Sequence, residues 1–286
     1  MDLLAPFTEF AFLQNALWGC LALSLSAPPV GVFLMLRRMS LTGDAMAHAI
    51  LPGAAIGYLV AGLSLGAMTL GGLVAGLAVV ALSGAVSRST VLREDTSLAA
   101  FYLLSLALGV VIISSQGRNV DLLHVLFGSV LALDGAAVAF LAGVAAVTLA
   151  TLVVLYRPLV LECLDPAFLR AVSRWSPVAH YGFLALLVLN LVAGFQALGT
   201  LLAVGMMILP AAAARFWVRD LKPLLAAAVG VSALGSVLGL VLSYHLDAPS
   251  GPSIVLTLGG LYLLSIVFGP RGALRARRVP AHHLKA

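Results

Sequence analysis

Residues 135–156 read GAAVAFLAGVAAVTLATLVVLY, without a single charged side chain. A helix rises about 1.5 Å per residue, so such a run covers the roughly 30 Å of a bilayer's hydrocarbon core. Lipid offers no hydrogen-bond partner to the backbone, which leaves helices and closed barrels as the only spanning structures. The run lacks the residue-by-residue alternation of a membrane β-strand. It therefore reads as a transmembrane helix. Similar apolar runs lie at 10–36, 44–62, 65–86, 96–115, 178–195, 199–217, 223–244 and 254–268, which makes nine crossings in all. The composition agrees: 62% of the 286 residues are hydrophobic and 9% charged, whereas soluble domains carry about 25% charged residues. A soluble protein is excluded, because a chain this apolar could not cover its own surface. The fold class expected is an all-α integral membrane protein, a polytopic bundle of about eight to nine transmembrane helices.

The charges orient the bundle. With the C-terminus inside, 15 of the 16 lysines and arginines fall on the inner side and only Arg118 lies outside. The positive-inside rule therefore puts the N-terminus outside and the C-terminus in the cytoplasm. The net charge of +5 is a topology signal of this kind and does not point to nucleic acid. Asp2, Glu9, Asp121, Asp134 and Asp247 then face outward. Cys20 and Cys163 are expected on different sides of the barrier, unpaired, and neither has zinc-site spacing. The acidic start MDLLAPFTEF does not read as a cleavable signal peptide. Two places resist the simple scheme. The segment 120–134 is apolar but too short to span, and Pro28-Pro29 should kink or break the first helix.

The longest polar stretch runs from Arg157 to Pro177. Within it, Asp165 suits the N-cap and Pro166 the first position of a short helix ending near Val172. Such a helix could dock on a partner or lie as a plain loop on the membrane surface. Glycines four apart, at 53/57, 72/76 and 235/239, allow close helix approach.

Ionisable residues inside a span are costly and so are candidates for function. Asp44 and His48 are four apart, hence on one face of a helix. A carboxylate oxygen and an imidazole nitrogen suit a first-row divalent cation such as Mn²⁺, Fe²⁺ or Zn²⁺. One pair is half a site; two copies across a two-fold axis would supply two carboxylates and two imidazoles. The competing reading makes Asp44 a helix cap and His48 a packing residue. His124 and His180 lie in or beside loops, His245 precedes Asp247, and His282 and His283 sit in the basic tail. No G-x-x-x-x-G-K-[ST] or H-E-x-x-H occurs, so an ATP motor would be another polypeptide.

Several segments together resemble the membrane permease subunits of ABC importers for zinc, manganese and iron. They are RRMSLTGDAMAHAILPG (37–53), REDT (93–96) followed by Phe101 and Ala107-Leu108-Gly109, LFG (126–128), ALGTLL (197–202), ILPAAAAR (208–215) and PSGP (249–252). The resemblance covers about residues 14–269. It implies one permease domain over 1–286 in the bacterial cytoplasmic (inner) membrane, with a cytoplasmic coupling segment at about 157–177 and a basic cytoplasmic tail at 270–286. A second permease subunit, expected to be identical, two ATPase subunits and an extracytoplasmic metal-binding lipoprotein are the implied partners. Asp44 and His48 match the family's intramembrane metal-coordinating pair. Asp165, Pro166, Ala167, Phe168, Leu169 and Arg170 match the helix that couples to the ATPase. Relatives carry glycine just after that helix where this chain has Ser173-Arg174-Trp175. No permanently bound cofactor is expected; the metal ion is cargo. Two other transport readings stay open at this point: an ABC permease for a metal chelate such as a siderophore, and a gradient-driven secondary metal transporter.

Overall fold

The computed structural model describes residue 7 and residues 10–62, 64–92, 94–114, 130–165, 168, 169, 173 and 175–273. All regular secondary structure in this range is helical. In chain order the helices are α1 Ala11–Leu36, α2 Ser40–Ala49, α3 Leu51–Ala61, α4 Leu65–Ser89 and α5 Glu94–Ser114. A 3₁₀ turn at Val130–Ala132 follows, then α6 Gly135–Leu164, α7 Trp175–Leu198, α8 Thr200–Arg215, α9 Leu221–Leu246 and α10 Ser250–Phe268. Taking α2 and α3 as one span, seven segments among the described residues are long and apolar enough to cross a membrane, and the apolar parts of α5 and α8 are shorter. The nine apolar runs of the sequence thus correspond to nine helical segments among the described residues, as expected of a polytopic bundle.

Helix α1 is the hub and packs against α6, α8 and α9. Its apolar stretch is 78% buried inside the protein, against 33% for that of α6. That difference puts α6 at the rim of the bundle, where Val147, Val153 and Val154 are exposed. Pro28 and Pro29 do not break α1, which stays helical through both. They are buried among neighbouring helices, the setting in which membrane helices tolerate proline.

Helix α1 ends in a reversal that places α2. Arg38 adopts φ 58°, the left-handed region. The Arg38 amide donates to the Met35 carbonyl and the Met39 amide to the Leu34 carbonyl, the paired closing bonds of a Schellman cap. A non-glycine residue in this conformation costs about 1 kcal/mol, and the two bonds offset it. The chain re-enters as α2 at Ser40, four residues before the expected start of the second span at 44. That span is also interrupted. Ile50 separates α2 from α3, and Pro52 opens α3. Lacking an N–H, Pro52 cannot donate to the His48 carbonyl. One residue along, the buried Ser105 hydroxyl of α5 donates to the Ala49 carbonyl at 2.8 Å, which pins the break to α5.

The polar stretch 157–177 is also shorter as a loop than expected. Helix α6 runs through Arg157 and Pro158 to Leu164, 30 residues in all. At about 1.5 Å per residue it outreaches the hydrocarbon core by roughly ten residues. Residues 157–164 therefore form a projecting helical end, and the connection to α7 begins at Asp165. Of the segment 120–134, only 130–134 lies within the described residues; there Asp134 caps α6 by accepting from the Ala137 amide at 2.7 Å.

Candidate metal centre

Asp44 is the fifth residue of α2, with Met39 at the N-cap position and no side-chain capping bond there. Asp44 therefore does not cap this helix. His48 lies eight residues past Ser40, about 12 Å along the axis. One face of α2, with Thr42, Gly43, Met46 and Ala49, is buried; a Cβ at Gly43 would lie 3.6 Å from Leu34 and 3.7 Å from Ile208. The opposite face carries Leu41, Asp44 and His48. Asp44 Oδ1 and His48 Nε2 are 3.9 Å apart, with 65% and 32% of the respective side chains exposed. An open carboxylate on an apolar helix cannot rest against acyl chains without a large solvation cost. This face must meet water or another protein surface.

Among the described residues the pair has no third ligand: no three His, Cys, Asp or Glu side chains there gather closely enough to hold a metal. His245 is engaged locally, its Nδ1 donating to the Val241 carbonyl at 2.9 Å. His124, His282 and His283 lie outside the described residues. His180 accepts from Arg37 and is not part of the Asp44/His48 face.

Of the coupling candidates, Asp165 has the geometry of an N-cap. Its Oδ1 accepts from the Phe168 amide at 2.9 Å, and its carbonyl accepts from the Leu169 amide at 3.2 Å. The turn is extended where the Ser173 amide donates to the Leu169 carbonyl at 2.9 Å. Phe168 is exposed and Leu169 buried. Pro166, Ala167 and Arg170 lie outside the described residues.

One polar site escaped the sequence reading. Arg37 was placed among inner-loop charges and Glu162 in the polar stretch, yet both are buried and face each other, Nη2 to Oε1 at 3.8 Å. The usable signal was weak: an acid six residues past the end of the apolar run 135–156, with no basic partner three or four residues away.

A multi-pass helical bundle with an open carboxylate–imidazole face inside one span defines a class, the membrane-spanning subunit of a transporter. The chain belongs to the ABC 3 transport family, which residues 9–269 match. It is 34% identical over 274 residues to the manganese import system permease protein ScaB of Streptococcus parasanguinis, covering 96% of each chain. It is 31% identical over 266 residues to a probable iron transport system membrane protein of Haemophilus influenzae, covering 93% of this chain and 96% of that one. The solved structure of PsaBC from Streptococcus pneumoniae in complex with Fab matches the fold with a TM-score of 0.84 at 32% identity, over 97% of this chain and 99% of that one.

Proposed function

We propose that this chain is the translocation subunit of an ATP-driven importer of divalent transition-metal ions, with manganese the first ion to test. The observation that carries this reading is the similarity, along nearly its whole length, to a permease named for manganese import. Iron follows from the second relative, and zinc from the chemistry of a carboxylate–imidazole pair, which is permissive among these metals. The whole chain acts as one permease domain, with its basic tail at 270–286 in the cytoplasm.

Asp44 and His48 are the proposed ligands. The open face of α2 supplies one carboxylate and one imidazole, and a second copy facing it across a two-fold axis doubles the set. Asp44 offsets the ion's charge, and His48 ligates through an unprotonated ring nitrogen. The extracytoplasmic binding lipoprotein delivers the ion from outside, and a separate cytoplasmic ATPase supplies the energy. The turn capped by Asp165, with Phe168 exposed at its start, is the proposed contact with that ATPase.

The direct test is cellular metal content by mass spectrometry in cells expressing the chain with its ATPase and binding protein. Manganese is expected to rise severalfold over cells lacking the chain. No rise in manganese, iron or zinc overturns the reading and moves a metal chelate forward.

A further inference from the structure

Four polar side chains from three helices converge where α1 ends, α6 ends and α7 begins. Arg37 follows the last residue of α1. Its guanidinium lies 3.8 Å from Glu162 of α6, and both side chains are only 7% exposed. Arg37 also donates to His180 Nδ1 of α7. The other Glu162 oxygen accepts from Ser176 Oγ of α7 at 3.1 Å. The guanidinium carbon sits 5.1 Å from the Phe183 ring centroid, and Phe183 meets Phe33 of α1 edge-on at 6.2 Å.

A buried ion pair is a poor source of stability, because desolvation cancels much of the attraction. Its stronger effect is to specify one arrangement, since breaking one partner leaves the other charge buried and uncompensated. The positions being specified are telling. Glu162 lies three residues before Asp165, and Ser176 three residues after Ser173, so the cluster grips both ends of the connection between α6 and α7. Arg37 lies three residues before Ser40, joined to α2 through the hydrogen-bonded reversal at Arg38. The cluster thus ties the α6–α7 connection to the start of the helix that carries Asp44 and His48.

We propose that the Arg37–Glu162 pair, held by Ser176 and His180, is a positioning cluster that transmits movement of the α6–α7 connection to α2 and so couples ATP hydrolysis to ion movement. This rests on the reading of that connection as the ATPase contact and of Asp44/His48 as the ion site.

The test uses the purified permease–ATPase complex in proteoliposomes, with its binding protein and Mn²⁺, and reads ions transported per ATP hydrolysed. Glu162→Gln removes the charge and keeps the size. ATP hydrolysis is expected to stay within about twofold of wild type while the transport ratio falls about tenfold. The charge-reversed pair Arg37→Glu/Glu162→Arg recovers part of the ratio. A merely structural role lowers hydrolysis, transport and thermal stability together and leaves the ratio unchanged, which overturns the proposal. If Glu162→Gln does not assemble, Ser176→Ala reads the same ratio with one hydrogen bond removed and no charge lost; an unchanged ratio there also overturns it. Wild-type vesicles that take up no Mn²⁺, Fe²⁺ or Zn²⁺ overturn the function itself, an outcome distinct from normal wild-type uptake with an unaltered variant ratio.

Discussion

Replacing His48 by alanine is expected to lower metal accumulation about 100-fold in cells that carry matched amounts of the two proteins in the membrane. Loss of a hydrogen-bonding partner behind a metal ligand already costs about 10–100-fold in affinity or activity. Removing the ligand itself, once in each copy of a symmetric pair, costs at least the upper end of that range. Little stability is at stake, because Asp44 and His48 lie on the open face of α2, 65% and 32% exposed, and away from its packed side. Asp44→Asn keeps the size, removes the charge and is expected to act in the same direction. Mass spectrometry of cellular manganese, iron and zinc checks both. A metal that rises with the wild-type chain and not with either variant identifies the ion. Equal accumulation in wild type and variants takes Asp44 and His48 off the ion's path and leaves the importer itself standing.

Gly53→Ala is expected to cost more than about 3 kcal/mol and to deplete the protein from the membrane severalfold. Helices α3 and α4 cross backbone to backbone. A Cβ on Gly53 would sit 2.0 Å from the Gly71 carbonyl oxygen, and a Cβ on Gly71 would sit 2.1 Å from the Gly53 oxygen. Neither obstacle is a side chain that can rotate away, so the helices must part by at least about 1 Å. One turn on, a Cβ on Gly57 would meet the Ala67 oxygen at 2.4 Å, so the close crossing extends along both helices. Because α3 continues directly from α2 through Ile50, the displacement also reaches His48, two residues before Ile50. The surviving protein should therefore transport poorly. Gly143→Ala is the control: it lies within α6, nothing stands within 4 Å of its Cβ, and its abundance should match wild type. Quantitative blotting of membranes and thermal unfolding in detergent read the effect; equal abundance of Gly53→Ala and Gly143→Ala contradicts so close a crossing.

The close crossings were partly legible beforehand. Glycines at four-residue spacing drew attention to 53/57 and 235/239, and a Cβ at Gly239 would indeed lie 2.5 Å from Ile254 Cα. The same pattern gave no hint of Gly31, where a Cβ would fall 1.8 Å from the Met207 oxygen of α8. Its partner surface comes from a helix far along the chain, and no spacing within α1 marks it. Gly72, by contrast, belongs to a spaced pair yet a Cβ there would meet the Val192 side chain and the Ile50 carbonyl at ordinary distances of 3.5 and 3.7 Å.

The sequence by itself determined the features that a bilayer enforces residue by residue. Each span must be apolar, about 20 residues long and helical, because lipid neither solvates charge nor bonds backbone. The number of segments, their orientation and the shared face of Asp44 and His48 follow from local rules of that kind. Only the tertiary structure decided where α2 begins, because the reversal at Arg38 depends on how α1 is capped and packed. Only it decided that Asp44 lies inside a helix on an open face, and that α6 projects to Leu164. It also paired Arg37 with Glu162. Hydropathy counts what a charge costs to bury, one residue at a time; which distant charge compensates it is settled by the packing of α1, α6 and α7.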